Sequence, residues 1–307
     1  MNFRRYNLMV MIFVCSVLGL ILGVNSLALR LGKPDPDNTF LLSQLHKAEN
    51  VGAIDVLFVG DSSLGNAIDA GVWDQTTHTR SINLALTGSY GLSGSLYMIN
   101  KVLEKRQPKR IYIVQTADIW EREQNLSMND ALKAASRAQS FWFRLADDMT
   151  IKGTLRSMRY LSGFFSGQID RQNIFHKDFV RQATKIDWRD DPEEFRADGM
   201  KVAGISENNF KYAQEIVRLC DARQIDCQFA YGPLLDSICS KSTTYFAQVN
   251  QKLEKLGAKL VMSQPICLPY EQMGDTNDHI APESKEAITL EYVRLLHGQN
   301  LGEHWKQ

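Results

Sequence analysis

A serine and a histidine near opposite ends of the chain carry the clearest chemical signal. Ser62 follows the apolar run Val56–Val59 and a Gly-Asp dipeptide, and His279 lies in a polar segment that also holds Asp275 and Asp278. A histidine whose pKa is near neutrality can remove a serine proton, and a carboxylate can orient its ring. These residue types predict acyl transfer through a serine nucleophile. The alternative is an ordinary strand-to-helix turn at Ser62 and a capping or surface histidine at His279.

The order of apolar and helical segments predicts how these residues are positioned. Strands alternate with helices along most of the chain, which is typical of an α/β fold with a doubly wound, parallel, five-stranded sheet. Ligands bind at the carboxyl ends of parallel strands, so Ser62 and His279 are expected at one edge of the sheet. The predicted strands are Val56–Val59, Ser81–Leu86, Arg110–Thr116, Cys227–Tyr231 and Lys259–Met262, and the predicted helices are Phe40–Asn50, Leu92–Arg106, Glu207–Arg223, Thr243–Leu256 and Glu283–His297.

A long excursion interrupts this alternation after the third predicted strand. Residues 120–205 hold no further alternating strands, and a bare loop of this length is uncommon, so a helical insertion is expected. Its aromatic and basic residues offer a dock for a sugar acceptor, with ordinary packing and solvated surface as the alternative. These residues are Trp142, Arg144, Arg156 and Arg159.

The segments FVGDSS, NLALTGSYG and DTNDHIAPESKEA follow one another along the chain in the order that a known family uses. They resemble the first, second and last blocks of the SGNH (GDSL-like) hydrolase superfamily, over residues 50–118 and 225–297. The resemblance implies a flavodoxin-like sheet, with Ser62 as nucleophile and His279 as base. It also implies that the N–H groups of Ser62 and Gly88 bind the oxyanion. The GxSxG signature of α/β-hydrolases is absent from the sequence.

The chain departs from the family pattern at two positions. The third block of the family reads Gly-x-Asn-Asp, and here Ala117 stands where the asparagine would donate to the oxyanion. Losing one such donor costs about 2.7–4 kcal/mol of transition-state stabilisation. The family places an aspartate three residues before the histidine, and Thr276 stands there. We expect Asp275 to orient His279 through a one-residue bulge, with Asp278 as the second choice.

The N-terminus is expected to anchor the protein in a membrane. Arg4 and Arg5 precede the uncharged apolar stretch Leu8–Val24, which together with Leu27–Leu29 reaches the roughly 20 residues needed to span a bilayer. A cleaved signal peptide, with its apolar region of about 7–15 residues, is the alternative. The two arginines would remain cytoplasmic, so everything after residue 30 would be periplasmic or otherwise extracytoplasmic, at the inner membrane.

Four of the five cysteines follow the anchor. An even number in an oxidising compartment permits two disulfides. Cys220 and Cys227 bracket a helix-to-strand turn and are expected to pair, which leaves Cys239 for Cys267. Free buried thiols are the alternative.

Composition narrows the functional class. Lys and Arg total 35, as do Asp and Glu, so no basic face for nucleic acid is indicated. No cofactor is predicted, and no His/Cys spacing indicates a metal. We expect an anchor over 1–31, a linker and lead-in helix over 32–49, and an SGNH-like domain over 50–300.

A membrane-anchored, outward-facing protein of this kind resembles the accessory proteins of bacterial cell-envelope acylation systems. The expected activity is that of a serine-dependent O-acetyltransferase or acetylesterase. Its substrate would be a polysaccharide acceptor or an acetylated glycan, and a multispanning membrane O-acyltransferase would be its partner. The alternatives are a catalytically weak scaffold that binds glycan or that acyltransferase, and a cleaved, secreted esterase.

Overall fold

The structure, a computed structural model, describes residues 3–31, 33, 39–123, 125, 132, 141–167 and 198–297. The chain divides into two compact units. One comprises Met1–Leu42 and Ala131–Phe175, and the other comprises Ser43–Asp130 and His176–Gln307.

Eleven α-helices and seven strands form within the described residues. The helices are α1 (Phe3–Arg30), α2 (Thr39–Glu49), α3 (Ser62–Ala67), α4 (Ala70–Thr77), α5 (Gly91–Leu103), α6 (Phe141–Asp148), α7 (Ile151–Phe165), α8 (Asn208–Arg223), α9 (Asp236–Cys239), α10 (Thr243–Lys255) and α11 (Lys285–Tyr292). The strands are β1 (Val56–Gly60), β2 (Ser81–Asn83), β3 (Arg110–Gln115), β4 (Asp226–Tyr231), β5 (Leu234–Leu235), β6 (Lys259–Leu260) and β7 (Cys267–Leu268).

The second unit is built on a five-stranded, wholly parallel sheet in the order β2-β1-β3-β4-β6. The prediction of an α/β fold with a parallel five-stranded sheet is confirmed, and the strand order is that of flavodoxin-like sheets. The central strand β1 is buried throughout and pairs on both sides, with Val56 opposite Ser81 and Arg110. The carboxyl ends of β1 and β3 therefore meet at one edge.

Two strand boundaries differ from the prediction. The second strand was expected to reach Leu86 but ends at Asn83, although the Leu84 and Leu86 N–H groups still donate to the Phe58 and Gly60 carbonyls of β1. The last strand, expected to reach Met262, ends at Leu260. The small sheet of β5 and β7 was not predicted, since two residues are too short to show a strand pattern.

One face of the sheet is packed by aromatic rings. Phe58 on β1 stacks on Tyr112 of β3 at 5.3 Å between ring centroids, and Trp73 of α4 contacts Phe58 edge-on at 4.8 Å. The Tyr112 hydroxyl donates to the Leu296 carbonyl, in the turn that follows α11. The carboxyl-terminal helix is thereby fixed to the same face, and aromatic pairs of this kind add about 0.5–1.5 kcal/mol each beyond area burial.

Both expected disulfides are present. Cys220 at the end of α8 bonds to Cys227 on β4, and Cys239 of α9 bonds to Cys267 on β7. The remaining cysteine, Cys15, is exposed on α1.

The first unit contains α1, α6 and α7. Among the described residues α1 alone is long and apolar enough to cross a membrane, a test that a signal sequence also passes. Of the predicted linker over 32–38 only Lys33 is described, and residues 168–197 of the predicted insertion lie outside the described residues.

Candidate active site

The turn after β1 is shaped by a glycine and a buried carboxylate. A Cβ on Gly60 would lie 1.7 Å from the Val114 carbonyl oxygen, so only glycine fits where β1 passes β3. Asp61 caps α3 by accepting from the Ser63 N–H at 3.0 Å and from the Ser63 hydroxyl at 2.6 Å. Its second oxygen accepts the Thr116 N–H at 2.9 Å, which ties the turn to the end of β3.

This turn places Ser62 at the first position of α3. The residue is half-buried, and its carbonyl accepts from the Asn66 side chain at 2.8 Å. Its hydroxyl makes no hydrogen bond to any residue that the structure describes, and His279 is among those residues. The hydroxyl of neighbouring Ser63, in contrast, is committed to Asp61. Ser62 is therefore the serine of the pair whose oxygen remains available for chemistry.

His279 is brought together with the carboxylate that the sequence favoured. Its Nδ1 lies 2.8 Å from Asp275 Oδ1, and the ring is only 5% exposed. Its Nε2 lies 3.7 Å from Asp278 Oδ1, beyond hydrogen-bond distance, while that oxygen accepts from the Thr276 hydroxyl. With Nδ1 engaged by Asp275, Nε2 is the nitrogen left to exchange a proton.

The loop that carries Asp275 and His279 is closed by backbone hydrogen bonds. The Gly274 N–H donates to the His279 carbonyl at 2.7 Å, and Met273 and Ile280 form an antiparallel bridge. This closure sets Asp275 opposite His279 despite the four-residue spacing. The tight loop, rather than a one-residue bulge, brings the Asp275 carboxylate to the His279 ring.

Helix α11 follows this loop and packs against the serine helix. Lys285 Nζ donates to the Gly65 carbonyl at 2.9 Å, and the Thr289 hydroxyl donates to the Ala67 carbonyl at 3.1 Å. Burial lowers the pKa of Lys285 to about 8, and the charge of Asp69 opposes this shift. The helix that begins at Ser62 and the helix that follows the His279 loop are therefore direct neighbours.

Three carboxylates converge at this edge. Burial raises the pKa of Asp61 to about 6, and the charge of Asp278 adds to the rise. Burial also raises the pKa of Asp118, with the Arg122 cation opposing it and Asp278 again contributing. Asp278, expected as the second choice to orient His279, therefore acts electrostatically on the turn after β1.

Arg122 is the residue of this site that the sequence reasoning missed. Its Nε and Nη2 donate to Asp118 Oδ2 at 3.0 and 2.7 Å, which fixes the guanidinium plane. A Cβ on Gly88 would lie 2.2 Å from Arg122 Nη1, so the cation rests directly against the glycine backbone. The four-residue spacing from Asp118 to Arg122 was the available signal, since it pairs opposite charges within one helical turn.

The predicted oxyanion donors begin two short helical segments. Ser62 starts α3 and Gly88 starts a 3₁₀ turn over Gly88–Tyr90, and backbone N–H groups at such positions have no intrahelical acceptor. Ala117 is fully buried, and its carbonyl accepts from the Tyr245 hydroxyl at 2.9 Å. A methyl side chain there donates nothing, whereas Arg122 Nη1 is a charged donor beside Gly88.

The described residues contain no group of three or more His, Cys, Asp or Glu side chains arranged to hold a metal ion. No family model matches the chain, and no curated protein is significantly similar to it.

Proposed function

We propose that this chain is an extracytoplasmic, membrane-anchored O-acetyltransferase or acetylesterase of SGNH type, acting on a cell-envelope polysaccharide. The observation that carries the proposal is the His279–Asp275 pair at 2.8 Å, on the loop whose following helix packs against the helix that begins at Ser62. A histidine paired with a carboxylate in this way supports the role of a general base held by its orienter, with Ser62 as the proposed nucleophile. The parallel sheet supplies the edge at which such sites form.

The proposed reaction proceeds through an acyl-enzyme. His279 Nε2 takes the Ser62 hydroxyl proton while Ser62 Oγ attacks the ester carbonyl carbon, giving a tetrahedral oxyanion. The C–O bond to the donor alcohol then breaks, and His279 returns the proton to that alcohol. In the second half, His279 removes a proton from a sugar hydroxyl or from water, whose oxygen attacks the acyl carbon. The acyl–Oγ bond then breaks, and His279 passes that proton to Ser62 Oγ.

The oxyanion is held by the N–H groups of Ser62 and Gly88 and by Arg122 in place of the family asparagine. The Asp118 carboxylate holds the Arg122 fork so that Nη1 lies against Gly88. A charged donor stabilises developing negative charge more than a neutral one does. Ala117 therefore does not by itself deprive the site of a third donor.

The N-terminal helix and the disulfides support the proposed cellular location. Arg4 and Arg5 precede α1, and this charge bias favours a cytoplasmic N-terminus. Cys220–Cys227 and Cys239–Cys267 are typical of an oxidising compartment. Both features support a catalytic unit outside the inner membrane, where an envelope polysaccharide and a multispanning O-acyltransferase would be its partners.

A catalytically weak scaffold is the second candidate. The observation that favours it is the Ser62 hydroxyl, which makes no hydrogen bond to His279 among the described residues. Such a domain would bind glycan or the membrane acyltransferase without turning over an ester.

Hydrolysis of p-nitrophenyl acetate by the full-length protein in mild detergent separates the two candidates. If the protein is an enzyme, we expect it to hydrolyse the ester and Ser62→Ala to abolish that hydrolysis. We also expect fluorophosphonate to label the peptide that contains Ser62. Ser63→Ala is the matched control, because the Ser63 hydroxyl is committed to Asp61, and it should keep the label. Equal rates for the native protein and Ser62→Ala, with no label on either, would favour the scaffold over the enzyme.

A further inference from the structure

Helix α7 is fastened to the end of the apolar helix α1. Asn25, a fully buried polar residue in α1, donates through Nδ2 to the Thr154 hydroxyl at 3.0 Å and accepts through Oδ1 from the Ser157 hydroxyl at 2.5 Å. A polar side chain near the end of a membrane helix is costly unless another group satisfies it. Both partners come from α7, so α7 reaches the depth of Asn25.

A second set of bonds extends this contact to the end of α1. The Tyr160 hydroxyl donates to the Leu31 carbonyl at 2.8 Å. Lys33 Nζ donates to Ser157 Oγ at 2.8 Å and pairs with Asp148 Oδ1 at 2.7 Å. Helix α7 therefore contacts α1 at Asn25 and, just after α1 ends at Arg30, contacts Leu31 and Lys33.

The side of α7 that faces away from α1 is an exposed apolar stripe, interrupted by one polar residue, the exposed Ser162. At 100° per residue its members fall within an arc of about 80°, whereas Gly153, Ser157 and Tyr160, which are buried, lie on the opposite side. The members and their exposed fractions are Ile151 at 80%, Leu155 at 52%, Met158 at 52% and Phe165 at 71%.

Basic and aromatic residues border this stripe. Lys152 and Arg159 are exposed on one flank of α7, about 80–100° from the centre of the stripe. On the preceding helix α6, Trp142 is 73% exposed. A helix with one apolar face, a basic flank and a neighbouring tryptophan has the composition of elements that lie at a membrane surface.

We propose that the α7 stripe is a membrane-contact surface, seated in the lipid leaflet at the carboxyl end of α1. Continuity with α1 selects lipid over a sugar acceptor, because the stripe starts beside Asn25, at the margin of the apolar segment. The basic flank, Lys152 and Arg159, fits the phosphates of anionic lipids. In this proposal Trp142 and Arg159, which the sequence offered as a dock for a sugar acceptor, contact lipid instead. The inference depends on α1 being a membrane helix and is independent of the acyl-transfer proposal.

Depth-dependent fluorescence quenching tests this proposal in the full-length protein. A Cys15→Ser background removes the one cysteine outside the two disulfides, so a single introduced cysteine takes an environment-sensitive NBD label. Labels go at Leu155→Cys and Met158→Cys on the stripe and at Lys152→Cys and Arg159→Cys on the flank. The protein is reconstituted in phosphatidylethanolamine–phosphatidylglycerol vesicles.

The expected result is a periodic pattern along α7. Nitroxide on the lipid acyl chain should quench the stripe labels at least two-fold more than the flank labels, and aqueous iodide should do the reverse. Equal iodide quenching on both faces would overturn the proposal, as would stripe labels shielded from both quenchers, which would indicate a protein cover. Two positions on each face keep the test valid if one variant misfolds, and p-nitrophenyl acetate hydrolysis by the same samples reports separately on the site chemistry.

Discussion

Lys285 Nζ donates a hydrogen bond to the Gly65 carbonyl oxygen at 2.9 Å, which joins the helix after His279 to the helix that begins at Ser62. The lysine is buried and its partner is a helix-terminal carbonyl, a position where a cation is favoured. Residues far apart in the chain are thereby held at one end of the sheet. Together with the Thr289 hydroxyl, which donates to the Ala67 carbonyl, this contact joins the two halves of the candidate site.

The buried lysine should leave a signature in the pH dependence of stability. Its pKa falls from 10.5 to about 8 on folding, so between these values the unfolded chain binds more protons. The free energy of unfolding of the native protein, relative to Lys285→Met, should therefore rise from pH 8 to 10, by at most about 1.4 kcal/mol per pH unit. Urea unfolding in mild detergent measures this difference.

Lys255→Met is the matched control, since Lys255 is exposed in the last turn of α10. Its difference from the native protein should stay flat over the same pH range. An equally flat difference for Lys285→Met would mean that Lys285 keeps an ordinary pKa.

Asp61 should make the free energy of unfolding fall, rather than rise, as the pH increases in the acid range. Burial and the Asp278 charge raise its pKa from 3.8 to about 6, so the folded protein binds more protons in this window. The free energy of unfolding of the native protein relative to Asp61→Asn should therefore fall by roughly 2 kcal/mol from pH 4 to 6. Above pH 6 the variant still lacks the second carboxylate oxygen that accepts the Thr116 N–H, which costs about 1–3 kcal/mol.

Two variants calibrate this measurement. Asp221→Asn changes an exposed carboxylate and should show no such slope. Asp278→Asn should shift the Asp61 transition to lower pH, because one of the charges that raise its pKa is removed. A transition that does not move would show that burial alone sets it.

Patterns along the sequence predicted the part of the fold that is encoded locally. The alternation around Val56–Val59 predicted the parallel sheet, and the bracketing of one turn by Cys220 and Cys227 predicted their disulfide. The closeness of Asp275 and His279 was also accessible, because both lie in one short polar loop.

Contacts between distant elements could not be predicted in the same way. Arg122 meets Gly88 across the ends of two strands, and Lys285 meets Gly65 between two helices. No spacing along the chain encodes such meetings. A lysine in an amphipathic helix is ordinarily solvated, so the burial of Lys285 gave no signal.

Asp275 and Asp278 should differ in their effect on catalysis. Asp275 bonds His279 Nδ1 at 2.8 Å and would fix the tautomer that leaves Nε2 free, whereas Asp278 lies 3.7 Å from Nε2. Asp275→Asn should lower kcat for p-nitrophenyl acetate by up to about 10⁴-fold, the scale of a lost triad carboxylate. Asp278→Asn should cost less than about 10-fold. The reverse ranking would assign the orienting role to Asp278.

Arg122 should act on the rate of the chemical step. If its Nη1 holds the oxyanion, Arg122→Gln should lower kcat by about 10²–10³-fold with little change in KM. Arg122→Lys keeps the charge but loses the fork that Asp118 orients, so an intermediate rate is expected. Arg218→Gln, at an exposed position on α8, should have no effect. A change confined to KM would make Arg122 a substrate-binding residue.

Gly88 and Arg122 should be coupled in the same measurement. A Cβ at Gly88 would lie 2.2 Å from Nη1, and since that atom ends a flexible side chain, Gly88→Ala should displace the guanidinium with at most about 1 kcal/mol lost in stability. The kcat of Gly88→Ala should fall nearly as far as that of Arg122→Gln. The double variant should then be little slower than either single one, because both remove one interaction. If the kcat losses of the two single variants add in the double variant, the two residues act independently. Gly88 would then contribute only its backbone N–H.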